Sequence, residues 1–145
     1  MVEKNLTPES GVPKSVIAVD DSINSSGIAV DNVSYDAGTF LDRDYDIRSL
    51  KAFSMMVHNI DGANGLTYTI QTATKTFANP DDLADADFTS DGSHTDVPLA
   101  AGAKSVIYKL NRDTDPSITA VRLRAKETVG AATSLLRADI RGTQR

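Results

Sequence analysis

The residues with the most chemical potential lie between positions 85 and 96. Asp85, Asp87, Thr89, Asp91, Ser93 and Asp96 occupy positions 1, 3, 5, 7, 9 and 12 of that window. Oxygen side chains at this spacing partly follow a calcium-binding loop, in which hard carboxylate, hydroxyl and carbonyl oxygens converge on the ion. The window departs from that pattern at three points. Ser90 stands where the sharp turn takes glycine, Asp96 stands where a bidentate glutamate closes the shell, and no helix is expected on either side. Asp42, Asp44 and Asp46 offer a shorter run of the same kind. The calcium candidates are therefore Asp85, Asp87, Thr89, Asp91 and Asp96. The competing reading is a solvated acidic loop whose charge discourages edge-to-edge association of a β protein.

Catalytic chemistry has little to work with. The chain has no cysteine and two histidines, His58 and His94, which removes thiol catalysis, iron–sulfur clusters and thiolate zinc sites. Ser93, His94 and Asp96 lie close together in sequence, whereas a working triad places histidine between the other two in space, usually from distant parts of a rigid scaffold. His58 falls near the end of an alternating segment and reads as a polar-face residue. The sequence contains no phosphate-cradling loop, no HExxH, no GxSxG and no GxGxxG. These observations predict a non-enzymatic protein that needs no cofactor.

Charge points instead to surface contacts. Residues 1–103 hold 16 acidic and 6 basic residues, and residues 104–145 hold 4 and 9, within an overall net charge of −5. Either the two sets interleave on folding, or the molecule carries an acidic and a basic pole suited to a complementary neighbour, another copy of itself included. On the second reading Arg122, Arg124, Lys126, Arg137 and Arg141 are the candidate partner contacts. Nucleic acid is a poor partner, since no aromatic residues interleave these cations and the pI is about 4.9. A sugar platform is also thinly supplied, with no tryptophan and four tyrosines. Tyr68 and Tyr108 fall on apolar strand faces, which leaves only Tyr35 and Tyr45.

The elements that must position these residues are strands. Lys14 to Val19, Gly27 to Val30 and Tyr35 to Phe40 read as short strands, the last ending at the charged stretch 42–46. Phe53, Met55 and Val57 alternate with Ser54 and His58, and Met56 is the one apolar residue on that polar face. Asp61-Gly62 and Asn64-Gly65 then turn the chain into Leu66, Tyr68 and Ile70, which predicts a hairpin. Residues 78–103 contain six aspartates and no lysine or arginine, and read as a long surface loop. Val106, Tyr108 and Leu110 share one face of the next strand. Val121, Leu123 and Ala125 alternate with Arg122, Arg124 and Lys126. After Val129-Gly130, Leu136, Ala138 and Ile140 alternate with Arg137, Asp139 and Arg141. The spacing predicts that these last two strands pair, with a register fixed by their basic outer faces.

At 145 residues and 15.5 kDa the chain is one domain's worth. Strands joined by turns, without intervening helices, predict an all-β fold: an antiparallel β-sandwich or jelly roll of seven to eight strands. It would span residues 14–145, preceded by an extended N-terminal arm over 1–13, where Pro8, Gly11 and Pro13 punctuate a weakly apolar segment. No apolar run approaches the ~20 residues that span a bilayer, and the first residues lack a secretory pattern. No membrane contact and synthesis in a cytoplasm are expected.

Residues 47–142 resemble the small β-sandwich capsid decoration, or cement, proteins of tailed viruses. The likeness is one of layout. A strand ends in Val57-His58-Asn59 and is followed by Ala63-Asn64-Gly65-Leu66-Thr67-Tyr68-Thr69-Ile70. Then come Asp96-Val97-Pro98-Leu99-Ala100-Ala101-Gly102-Ala103 and the closing segments 121–126 and 138–142. The resemblance implies a virion protein made in the host cytoplasm. It would bind the major capsid protein of the assembled shell, commonly as a self-associated trimer whose arm adds contacts. The alternative is a carbohydrate-binding or calcium-dependent module of an extracellular or tail assembly.

Overall fold

The computed structural model describes residues 4–5, 17–19, 28–30, 35, 41–79, 82–128 and 133–144. They form eleven strands: β1 (Lys4–Asn5), β2 (Ile17–Val19), β3 (Ile28–Val30), β4 (Leu41–Asp46), β5 (Leu50–Asn59), β6 (Leu66–Ala73), β7 (Phe88–Ser90), β8 (Val97–Leu99), β9 (Tyr108–Asn111), β10 (Ala120–Glu127) and β11 (Ser134–Gln144). Of the expected arm, only β1 lies among the described residues.

The strands make a β-sandwich. In sheet I the order is β1-β4-β10-β6, with β7 and β8 one after the other along the outer edge of β6. In sheet II β2 and β3 share one edge of β11, which pairs with β5, and β5 pairs with β9. All pairs are antiparallel except β1 with β4. The inner faces follow the alternation read from the sequence. Phe53, Met55 and Val57 of β5, Tyr68 and Ile70 of β6, Leu123 and Ala125 of β10, and Leu136, Ala138 and Ile140 of β11 form one buried core. Each large apolar side chain buried there contributes about 1.5–3 kcal/mol. Tyr45, Phe53 and Tyr108 run through it, with ring centroids 6.0 and 6.4 Å apart.

The pairing differs from the sequence expectation at both predicted hairpins. β5 and β6 lie in opposite sheets, as do β10 and β11. Residues 60–65 form an arch from sheet II to sheet I, held from inside by fully buried Asn59. Its Nδ2 donates to the carbonyls of Asn64 and Leu99, and its Oδ1 accepts from the Asp61 N–H. The Asp61 carboxylate accepts the N–H groups of Ala63 and Asn64, which hold it below the usual carboxylate range. Alternation assigns faces but not partners, so an arch and a hairpin read alike.

Two further differences matter for the surface. The charged stretch after residue 40 is itself β4, not the end of a strand, and 36–40 lie outside the described residues. Val106 is 80% exposed rather than sharing the buried face of Tyr108 and Leu110. His58 bridges Lys104 while Met55 pairs with Tyr108, so three residues (105–107) oppose two on β5. This one-residue bulge turns Val106 and Ile107 outward. Ser105 fills the gap: its Oγ accepts the Val57 N–H at 2.9 Å, and its own N–H donates to the Val57 carbonyl.

Candidate functional site

The two outer faces of the sandwich are finished differently. On sheet I, Asp44 and Asp46 of β4 stand beside Arg122 and Ala120 of β10, and Asp42 is in register with Arg124. The acidic and basic segments therefore interleave across one strand pair. Arg122 is 3% exposed. Its Nε and Nη2 donate to the two Asp44 carboxylate oxygens at 2.6 and 3.1 Å, and its Nη1 donates to Asp85 Oδ1 at 2.6 Å. The guanidinium stacks on Phe88 at 3.9 Å. Arg48 repeats the arrangement with Asp46 and the ring of Phe77.

The acidic loop lies over this face and is not simply solvated. Phe77, Leu83 and Phe88 form a second small core against Ala73 and Ala120, the outward residues of β6 and β10. Short 3-10 turns at Asp85–Asp87 and Gly92–His94 shape it. Of the calcium candidates, each aspartate has its own partner. Asp85 takes Arg122 and Asp87 takes Lys75 and the Ala84 N–H. Asp91 takes His94 and Asp96 lies 3.9 Å from Lys126. Hydrogen bonds from Arg122 and from Ala84 hold the Asp85 and Asp87 carboxyls below their ordinary values. Thr89 is exposed on β7. Among the described residues no three histidines or carboxylates gather as a metal site.

The other sequence candidates fall as follows. His94 Nδ1 lies 2.8 Å from Asp91 Oδ2, not from Asp96, and its ring sits edge-on to Tyr108 at 5.3 Å. Tyr45, Tyr68 and Tyr108 are buried, and burial pushes the Tyr108 phenol up to about 12. Tyr35 hydrogen-bonds Thr69 and lies under Arg124 and Lys126, so no tyrosine row faces solvent among the described residues. Arg122 and Arg124 are buried on sheet I rather than presented as open contacts: β4 and the acidic loop supply partners of Arg122, and Tyr35 supplies a carbonyl and a ring to Arg124. Lys126 is partly exposed beside them. Arg137 and Arg141 are on the opposite sheet.

That opposite face, on sheet II, is left open by the described residues. Ala52, Ser54, Met56 and His58 of β5 lie beside Arg137, Asp139, Arg141 and Thr143 of β11, with Lys109 of β9 on the far side. Two adjoining recesses mark it. One, of about 350 Å³, lies between Lys109 and Arg141 over Ala52 and Ser54. The second, of about 320 Å³, lies between Met56 and Ile107, with Arg137, Asp139 and Arg141 as its other wall. Ser54 and Arg141 belong to both. Arg137 pairs with Asp139 at 3.2 Å, whereas Arg141 and Lys109 are exposed and meet no carboxylate among the described residues. Among the described residues, Ile107 (48% exposed) and Val106 are the exposed large hydrophobics.

Lys109, Met56 and Ile107 were not among the sequence candidates. Met56 carried a signal, as the apolar interruption of a polar face. The exposure of Val106 and Ile107 depends on a bulge defined only against β5. Compared with known proteins, the chain matches no family model and no curated sequence.

Proposed function

We propose that this chain is a non-enzymatic structural protein of a virus particle, which docks on the assembled capsid through the open face of sheet II and bridges neighbouring subunits. The observation that carries this reading is the division between the two faces. Sheet I is saturated by its own ladder of charges and covered by its own loop. Sheet II presents cations around exposed aliphatic side chains, the mixture that a protein neighbour covers. The virus setting comes from the resemblance of residues 47–142 to capsid decoration proteins. On a lattice, each copy meets repeated sites at high effective concentration, so a modest face is enough to hold it. The partner is the major capsid protein, self-association as a trimer adds contacts, and the chain resides in the virion after synthesis in the host cytoplasm.

The alternative, a carbohydrate-binding or calcium-dependent module, has less support. Its aspartates are engaged by basic side chains or by His94, and three of its four tyrosines are buried. The deciding experiment sediments a gentle lysate of the native source and probes the fractions for this chain. Stoichiometric co-migration with megadalton particles, lost at high salt, is the expected result. Recovery only as a small free species overturns the particle reading.

A further inference from the structure

The two recesses on sheet II differ in chemistry and share a wall, and this specifies more than a general docking face. The first places two exposed cations, Lys109 and Arg141, on either side of a floor of Ala52 and Ser54. Small floor residues leave room for a carboxylate to reach both. The second has aliphatic and thioether walls from Ile107 and Met56, faced by the Arg137–Asp139 pair and Arg141. Its floor is displaced two residues along β5, from Ser54 to Met56, which is about 7 Å in an extended strand. An extended polypeptide repeats same-side side chains at that same interval.

We infer that the open face of sheet II recognises an extended acidic polypeptide segment in which a carboxylate side chain is followed, two residues on, by an aliphatic one. The carboxylate lies between Lys109 and Arg141, and the aliphatic side chain lies against Met56 and Ile107. Charge complementarity selects an anion. The exposed Ile107 and the Met56 thioether beside it select a protein segment over nucleic acid or a sulfated sugar, neither of which offers an aliphatic group at that spacing. The inference rests on the proposed docking role of this face and names the chemistry of its partner.

The test uses the full chain, isotope-labelled at the methionine and isoleucine methyl groups, and three probes. These are a capped peptide with glutamate and leucine separated by one threonine, the same peptide with serine for leucine, and a heparin fragment. The expected result is saturable shifts of the Met56 and Ile107 methyl signals with the leucine peptide alone. Arg141→Glu should weaken that binding by about tenfold or more, and Ile107→Ser should reduce it towards the serine peptide's level. Both positions are exposed, and melting curves of the variants serve as the check that they fold. Equal shifts with the serine peptide or heparin overturn the inference in favour of a general polyanion site. Shifts that grow with chain concentration alone overturn it in favour of a second copy, and no shift at millimolar peptide overturns it outright. Failure here with particle co-sedimentation intact removes only this partner chemistry. Peptide binding without co-sedimentation removes only the particle reading.

Discussion

Asp44 is the most informative single residue to perturb. It is 1% exposed and accepts two hydrogen bonds from Arg122, itself buried. Asp44→Ala leaves the guanidinium under Phe88 with the Asp85 carboxylate beside it, and Asp85 stands at the solvent edge with its side chain 69% exposed. Breaking a buried pair by removing one partner costs about 3–5 kcal/mol, because the other charge stays desolvated. For a domain of this size that lowers Tm by roughly 10–15 °C. Asp85→Ala removes a bond to the same arginine from the exposed side, and should cost under about 1 kcal/mol. The double variant Asp44→Leu with Arg122→Met should recover most of the loss, since a well-packed apolar pair can replace a buried ion pair. Thermal and urea melts of the set decide the matter. If Asp44→Ala costs no more than Asp85→Ala, the bidentate pair is not what anchors sheet I and its loop.

Three other outcomes follow from the structure. A Cβ at Gly142 would lie 2.9 and 3.0 Å from the Leu50 methyl groups, and Leu50 is fully buried, so Gly142→Ala should cost about 1–3 kcal/mol in a urea melt; an unchanged midpoint counts against that close approach. Glu127 is 2% exposed and neither of its carboxylate oxygens has a hydrogen-bond partner among the described residues, so Glu127→Met should raise stability by about 1–3 kcal/mol, and a lowered Tm would show that the carboxylate is satisfied. The folded-state Tyr108 pKa of about 12 exceeds its ordinary 10.0. The fold therefore favours the neutral phenol, and this stabilisation is complete below pH 10 and is lost as pH rises through about 12. Tyr108→Phe should move the alkaline unfolding midpoint upward, and a midpoint left in place, followed by circular dichroism, would refute the coupling.

The faces of the strands were legible in the sequence, and their partners were not. Alternation placed Tyr68, Leu123 and Ile140 in the core because side chains alternate whatever lies alongside. It could not show that β5 leads into the opposite sheet, since Asn59 stabilises the arch with carbonyls at residues 64 and 99. Arg122 read as a solvent-facing cation because Asp44 is 78 positions away in sequence. The acidic loop read as solvated because Phe77, Leu83 and Phe88 are too widely spaced to form a pattern, and they find one another only over β6 and β10. The open face of sheet II was legible in Arg137 and Arg141 but not in Ile107, whose exposure comes from a bulge measured against another strand.

The position of β11 between β5 and the short strands β2 and β3 bears on how the molecule is made. About 100 residues separate Val30 from its partner Ser134. At ribosomal speeds of ~5–20 residues per second, β2 and β3 wait roughly 5–20 s for a neighbour. Every strand of sheet I has by then emerged, since β10 ends at Glu127. The nascent chain thus passes through an interval in which half a sandwich can be zipped while its apolar side faces water. In that interval a holding chaperone has most to bind, and crowded copies on one messenger are most exposed to pairing with the wrong chain.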